Sequence, residues 1–198
     1  MLIIVFNNVI TNVFTFGVVM KSIVLLSSKG GVGKSSIIKQ IHRELSRLGF
    51  SVWGKDTDPQ GTYESFLNSL TEPNHADYFL YDTQGADSIT NRTLLEAVSQ
   101  AENDCLIIVP VQPTKTDLER ALSVAHLLHQ FKVKDKAVFV LNRCYREADK
   151  ETIESRNTLR TFNINVANSV IVNRIRFDQE PTTKIRNEIS RLIHEVIL

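Results

Sequence analysis

Short apolar segments and segments with helical spacing alternate along the chain from residue 22 to its end. The apolar segments, which predict strands, are 22–28, 51–56, 78–83, 105–111, 136–142 and 168–172. The segments with helical spacing, which predict helices, are 34–48, 63–70, 90–101, 116–131, 152–162 and 182–197. Because the strands are continuous apolar runs, they are typical of a parallel sheet covered on both faces. The alternation therefore predicts an α/β fold with a mostly parallel, twisted sheet and helices on both faces.

Local signals mark where two of these helices end or begin. Gly49 directly follows the first predicted helix, where glycine is the preferred terminating residue. Thr116 and Glu119 have the spacing of a capping box at the start of the fourth predicted helix. We therefore expect the Thr116 hydroxyl to accept a hydrogen bond from the backbone N–H of Glu119.

The first twenty residues contain no charged side chain and many apolar ones. Asparagine and threonine side chains within this segment argue against a transmembrane helix, because each would need a partner in lipid. A secretory signal normally begins with basic residues, and this segment has none. We interpret residues 1–19 as an upstream extension, with Met20 as the start and residues 20–198 as a single domain. A weak membrane tether is the alternative interpretation.

Basic and acidic residues are nearly balanced, with 23 Lys and Arg against 22 Asp and Glu, for a formal charge of +1. No strong overall field therefore draws the protein to nucleic acid or to a membrane, and any such binding needs a local patch. The two cysteines, Cys105 and Cys144, are too few for a disulfide framework or a four-ligand zinc site. This composition is typical of a cytoplasmic protein in a reducing compartment.

A glycine-rich turn lies between the first predicted strand and the first predicted helix. Residues 29–36 have the sequence Lys-Gly-Gly-Val-Gly-Lys-Ser-Ser. Glycines let the backbone N–H groups wrap around phosphate oxygens, and the N-terminus of the following helix favours anions. We expect Lys34 to contact the β- and γ-phosphates and the Ser35 hydroxyl to bind Mg²⁺. The residues predicted to bind nucleotide here are Gly30, Gly31, Val32, Gly33, Lys34, Ser35 and Ser36. Strand, turn and helix together predict a P-loop NTPase.

The phosphate loop departs from the usual pattern at its start. Ser28 stands where the G-x-x-x-x-G-K-S pattern has its first glycine, and Lys29 precedes the glycine pair. This K-G-G-x-G-K-S form resembles the deviant Walker A loop of the ParA/MinD family of P-loop ATPases. The resemblance implies an ATP-dependent homodimer in which Lys29 crosses the interface and neutralises charge on the partner's phosphates. It thus implies that Lys29, like Lys34, is catalytic.

Carboxylates follow the second and third predicted strands. Asp56 and Asp58, two residues apart on an extended chain, lie on the same side of it. The segment Asp-Thr-Asp-Pro-Gln resembles that of ParA proteins, which implies that Asp58 activates the attacking water and Asp56 lies near the metal. Asp82 ends the third strand in the Walker B arrangement and is predicted to bind Mg²⁺. Gln84 stands where the family usually has proline.

Asn142 is the candidate for contacting the base. GTPases of this general fold recognise guanine with an N-K-x-D motif, and the corresponding segment, residues 141–145, has no aspartate. Asn142 resembles the strand-end asparagine that contacts adenine in ParA proteins, although a turn asparagine fits the sequence equally well. ATP is therefore favoured over GTP. Residues 109–119, VPVQPTKTDLE, resemble the P-V-x-P-x-x-x-D-L segment of ParA proteins and indicate fold and interface.

The resemblance as a whole implies a small ParA-type partition ATPase. Its ATP-bound sandwich dimer would bind non-specific DNA on the nucleoid. A centromere-binding, ParB-like partner would stimulate hydrolysis, and the cycle would drive plasmid or chromosome segregation. Salt-sensitive contacts to DNA are expected from a local basic surface, whose candidates are Arg174, Arg176, Lys184, Arg186 and Arg191.

Two other classes of protein have a similar phosphate loop. A MinD-like or protein-complex positioning ATPase would use the same site for another cargo. Membrane binding is not expected, because the final helix lacks a basic tail. An ATP-dependent metabolic ligase of the dethiobiotin synthetase type has the same fold, and the Asp-Thr-Asp-Pro-Gln segment argues against it.

Overall fold

The computed structural model describes residues 20–85, 87–101 and 105–198, so the proposed extension, residues 1–19, lies outside the described residues. The strands are β1 (Lys21–Leu25), β2 (Val52–Asp56), β3 (Tyr78–Asp82), β4 (Cys105–Val111), β5 (Ala137–Cys144) and β6 (Ile171–Val172). The helices are α1 (Lys34–Arg47), α2 (Thr62–Leu67), α3 (Ile89–Gln100), α4 (Lys115–Gln130), α5 (Lys150–Thr161) and α6 (Thr183–Val196), and a 3₁₀ turn covers Lys134–Lys136. The predicted strands and helices are present, with ends that differ by a few residues.

The strands form one parallel sheet in the order β2-β3-β1-β4-β5-β6. From β1 the chain first moves to one edge of the sheet, and after β3 it crosses to the other side. The direction of winding therefore reverses around β1. Ligands of open parallel sheets bind beyond the carboxyl ends of the strands at such a reversal. The loops after β1 and β3 occupy this position.

Apolar side chains cover both faces of the sheet. One core packs α1, α2 and α6 against residues such as Ile23 and Leu25 of β1. The other packs α3, α4 and α5 against the opposite face, to which Val24 and the following Leu26 contribute. Because successive side chains of a strand point to opposite faces, burial on both sides requires a continuous apolar run. The predicted parallel α/β architecture with helices on both faces is confirmed.

Of the two predicted helix ends, one is confirmed and the other is wrong. Gly49 follows α1 with a φ of 94°, as expected of a terminating glycine. The capping box at Thr116 and Glu119 is wrong, because the N-cap of α4 lies two residues earlier. Thr114 is its N-cap, and the Thr114 hydroxyl accepts from the backbone N–H of Asp117 at 3.2 Å. The segment has threonine at both 114 and 116, and Thr114 has the extended backbone that an N-cap requires.

No helix within the described ranges is long and apolar enough to cross a membrane. The apolar stripe of α6 is buried in the first core, where its residues are Ile185, Ile189, Leu192 and Ile193. Packing on the sheet therefore accounts for the amphipathic pattern of this helix.

Candidate nucleotide site

The phosphate loop joins β1 to α1 at the winding reversal. Gly31 and Gly33 have φ values of 74° and 98°, a conformation that side chains other than glycine rarely adopt. Gly33 is the N-cap of α1, and no side chain in the described part of the chain caps this helix end. Its first turn contains no acidic residue. The N–H groups at the start of α1 are therefore available to an anion, which the helix dipole also favours.

Lys34 lies beneath this loop and is 5% exposed. Its ammonium donates to Ser27 Oγ at 2.8 Å, and the Ser27 hydroxyl donates to the carbonyl of Lys29 at 2.7 Å. Burial lowers the pKa of Lys34, while the nearby charges of Asp82, Asp58 and Asp56 oppose this effect. The structure thus places the predicted phosphate-binding lysine among the predicted carboxylates.

Asp82 is fully buried at the end of β3. Neither of its carboxyl oxygens has a hydrogen-bond partner of good geometry among the described residues, although the Ser35 hydroxyl lies close enough to affect its ionisation. Burial raises the pKa of Asp82 to about 6, with Ser35 and Lys34 lowering it in part. A buried carboxylate without a partner beside a serine hydroxyl offers the oxygen ligands that Mg²⁺ prefers. The pair Ser35 and Asp82 therefore fits the predicted metal.

Within the described part of the chain, no group of three or more His, Cys, Asp or Glu residues is arranged to hold a metal ion. Mg²⁺ commonly binds through one or two carboxylates together with phosphate oxygens and water. A cation at Ser35 and Asp82 would thus depend on the nucleotide for further ligands.

Asp56 and Asp58 have different surroundings after β2. The Asp56 carboxylate accepts from the N–H of Asp58 at 2.8 Å, of Tyr63 at 2.8 Å and of Glu64 at 3.1 Å. Among the described residues, the Asp58 carboxylate accepts only from the N–H of Gln60, at 3.0 Å, through Oδ1. Asp56, predicted to lie near the metal, therefore holds the loop in place, whereas Asp58 keeps Oδ2 free of hydrogen bonds to the described residues.

The loop after β3 packs directly on the phosphate loop. Thr83 Oγ1 donates to the carbonyl of Leu25 at 2.6 Å. A Cβ atom at Gly85 would lie 2.1 Å from the carbonyl carbon and oxygen of Lys29 and 2.3 Å from the nitrogen of Gly30. Only glycine allows this approach. Gln84, which departs from the family pattern, uses its carbonyl to accept from the side chain of Asn91 at 3.0 Å.

Lys29, predicted to act across a dimer interface, forms an ion pair within its own chain. Its Nζ lies 2.5 Å from Asp117 Oδ1 at the start of α4, and the two side chains are 30% and 6% exposed. Sequence reasoning did not assign Asp117 to the site. The available signal was the P-x-x-x-D-L segment, in which Asp117 is the aspartate.

Asn142 lies behind the phosphate loop and is 4% exposed. Its Nδ2 donates to the carbonyl of Val32 at 2.6 Å, and its Oδ1 accepts from the N–H of Arg143 at 2.8 Å. A Cβ atom at Gly33 would lie 2.8 Å from the same Nδ2. In this arrangement the buried amide is bonded to the chain's own backbone, and the predicted adenine contact stays a prediction. In the structure Asn142 supports the phosphate loop.

Most of the candidate DNA-binding residues interact with acidic side chains of the protein itself. Arg174 pairs with Glu188, and Arg191 pairs with Glu147 at 2.9 Å. Arg186 is half-buried, and its charge acts on Glu44 of α1. Among the described residues, those of the set that remain exposed without an ion pair are Arg176 and Lys184.

Comparison with known proteins relates this site to a family. The family model of the CobQ/CobB/MinD/ParA nucleotide binding domain matches residues 23–187. A sequence search among curated proteins found no match.

Several solved structures have a similar fold. A plasmid partition protein of Borrelia burgdorferi B31 bound to AMPPNP is 14% identical, with a TM-score of 0.70, covering 88% of this chain and 98% of that chain. The MinD cell division protein of Aquifex aeolicus is 18% identical, with a TM-score of 0.62, covering 90% of this chain and 98% of that chain. The structure of pNOB8 ParA bound to nonspecific DNA is 14% identical, with a TM-score of 0.64, covering 88% of this chain and 99% of that chain. At these identities the likeness shows the fold, and it confirms the predicted P-loop NTPase fold.

Proposed function

Because the chain belongs to the CobQ/CobB/MinD/ParA nucleotide-binding family, we propose that it is a ParA-type partition ATPase. The observation that carries this proposal is the charge arrangement around the phosphate loop. Lys34 lies beneath the loop beside the buried Asp82, and Lys29 lies at the loop's start with its side chain partly exposed. This arrangement supports a role for Lys34 in holding phosphate within the subunit and a role for the partly exposed Lys29 at a second copy.

The proposed reaction assigns each side chain a separate task. The N–H groups at the start of α1 and the ammonium of Lys34 bind the phosphates, which replace Ser27 as the partner of that ammonium. Ser35 and Asp82 would hold Mg²⁺, which when bound supplies positive charge to the phosphate oxygens. Asp58 accepts a hydrogen bond from water through its free Oδ2 and orients that water toward the terminal phosphate.

In this proposal nucleotide joins two copies through their phosphate loops, and the Lys29 of each copy neutralises charge at the other's nucleotide. The ATP-bound dimer then binds non-specific DNA on the nucleoid, with Arg176 and Lys184 as the exposed cations of the candidate surface. A centromere-binding, ParB-like partner stimulates hydrolysis and releases the dimer, which segregates a plasmid or chromosome.

Binding assays with purified protein test this function. We expect the wild type to bind ATP, to sediment as a dimer with ATP and Mg²⁺, and to bind DNA with ATP but not with ADP. Lys34→Ala should lose all of these properties, because the loop loses its buried cation. Lys39→Ala is the matched control, since Lys39 lies on the same helix away from the loop and should behave as the wild type.

Other results would point elsewhere. Unchanged ATP affinity in Lys34→Ala would remove the phosphate-loop assignment. ATP-dependent binding to anionic vesicles without DNA binding would favour a MinD-like positioning ATPase. A protein that stays monomeric at saturating ATP would contradict the partition mechanism.

A further inference from the structure

We propose that Asp117 is a positioning residue that holds the Lys29 ammonium within its own subunit until two copies meet. This inference rests on the proposed function, in which Lys29 acts across the interface. The observation behind it is the ion pair between Lys29 Nζ and Asp117 Oδ1. One ammonium cannot lie against its own Asp117 and against a partner's phosphates at the same time, so the pair competes with dimer formation.

The carboxylate side of this pair is fixed in place. Asp117 is the third residue of α4 and is 6% exposed. Its Oδ2 accepts from the hydroxyl of Thr114 at 2.9 Å, and its N–H donates back to that hydroxyl. The N-terminus of a helix also stabilises a negative charge in its first turn. The Asp117 carboxylate therefore stays in position after Lys29 has left.

The backbone of Lys29 is fixed as well. The Ser27 hydroxyl donates to its carbonyl, and Gly85 packs against the same peptide unit. The aliphatic stem of a lysine has several rotatable bonds. Movement of Lys29 from Asp117 to a partner thus needs rotation of its side chain alone, with the phosphate loop unchanged.

Arg120 provides a replacement cation for the carboxylate. It lies three residues after Asp117 on α4, and it lines the same small cavity as Lys29 and Asp117. Side chains three apart on a helix are neighbours. Arg120 is exposed and has no ion pair among the described residues. When Lys29 leaves, Arg120 can take its place, which lowers the cost of leaving a buried carboxylate unpaired.

The test is the strength of ATP-dependent dimerisation, measured by sedimentation at saturating ATP and Mg²⁺. Asp117→Asn removes the charge that holds Lys29, and each dimer releases two such lysines. We expect the dimer Kd to fall about tenfold, as expected for loss of two partly exposed ion pairs. Asp117→Glu keeps the charge and should restore the wild-type Kd. Glu119→Gln removes an exposed carboxylate from the same helix and should leave the Kd unchanged.

The outcomes separate this proposal from the function on which it rests. If the wild type dimerises with ATP and folded Asp117→Asn dimerises equally or more weakly, the role of Asp117 is wrong and the proposed function stands. If the wild type does not dimerise with ATP, or if Lys29→Ala dimerises as the wild type does, both fail. Circular dichroism checks folding, and Asp117→Ser is the substitute if the asparagine variant unfolds.

A double-mutant cycle tests the ion pair without nucleotide. Lys29→Ala, Asp117→Asn and the double variant are compared by urea unfolding of the nucleotide-free protein. We expect the two substitutions to be non-additive, because they remove the same contact. Additive effects would show that the Lys29–Asp117 pair does not form in the single subunit, and would overturn the proposal.

Discussion

Replacing Asp82 by asparagine should stabilise the nucleotide-free protein at neutral pH, although it removes a proposed metal ligand. Burial raises the pKa of this carboxyl from 3.8 to about 6, and this shift already includes the opposing effects of Ser35 and Lys34. The folded protein therefore binds the proton more tightly than the unfolded chain does. Keeping Asp82 charged costs the fold about 3 kcal/mol at a pH well above 6, since one pKa unit corresponds to about 1.4 kcal/mol.

The pH dependence of this effect follows from the direction of the shift. Below the unfolded value of 3.8 the carboxyl is protonated in both states, and the cost vanishes. Between pH 3.8 and about 6 the unfolded chain gives up this proton while the folded protein keeps it, so the stability falls across this interval and levels off above it. Asp82→Asn replaces the ionisable carboxyl with an uncharged amide of nearly the same shape. We expect it to raise the free energy of unfolding by about 3 kcal/mol near pH 8 and by about 1 kcal/mol near pH 4.5.

Urea unfolding followed by circular dichroism at both pH values measures this difference. Asp135→Asn is the control, because Asp135 is an exposed carboxylate of the 3₁₀ turn, and we expect little change at either pH. The reasoning is refuted if Asp82→Asn is no more stable than the wild type near pH 8. A gain that is equal at the two pH values would also refute it, because the gain would then not come from ionisation.

Three further predictions follow from packing and charge. Gly85→Ala should destabilise the nucleotide-free protein by about 2 kcal/mol or more in urea unfolding, because its Cβ would overlap backbone atoms of the phosphate loop. Gly30→Ala, whose Cβ meets nothing within 4 Å, should change stability little, and equal effects would contradict the packing argument. Asn142→Ala should weaken ATP binding measured by fluorescence titration of a labelled nucleotide, equally for ATP and GTP analogues, because it removes a support of the loop. A loss of affinity for the ATP analogue alone would instead support the base contact predicted from sequence. Arg176→Ala should reduce the slope of log K for DNA binding against log salt concentration by about one unit. Arg191→Ala should reduce it less, because the charge of Arg191 is paired with Glu147. The opposite order would place the DNA surface elsewhere.

The order of strands and helices, the phosphate loop and the family were all predictable from the chain itself. Each depends on neighbours in sequence. A strand between two covered faces needs consecutive apolar residues, and a loop that wraps phosphate needs glycines followed by lysine and serine at a helix start. Membership of the ParA/MinD-type family, which the K-G-G-x-G-K-S form indicated, is confirmed by the match over residues 23–187. The roles predicted for the individual site residues stay predictions.

Contacts between distant segments depend on how the helices pack on the sheet. Asn142 donates to the carbonyl of Val32, which lies 110 positions away in the chain, and local sequence did not predict this bond to the phosphate loop. The pairing of Lys29 with Asp117 likewise joins the start of α4 to the phosphate loop. Such contacts arise because the start of α4, which follows β4, and the end of β5 both lie at the carboxyl edge of the sheet, where the phosphate loop leaves β1. The residue types and their local spacing therefore predict the chemistry available to this protein. Tertiary packing decides which hydrogen-bond or ion-pair partner each polar side chain has, because a buried polar group must bond to a group that the fold places next to it.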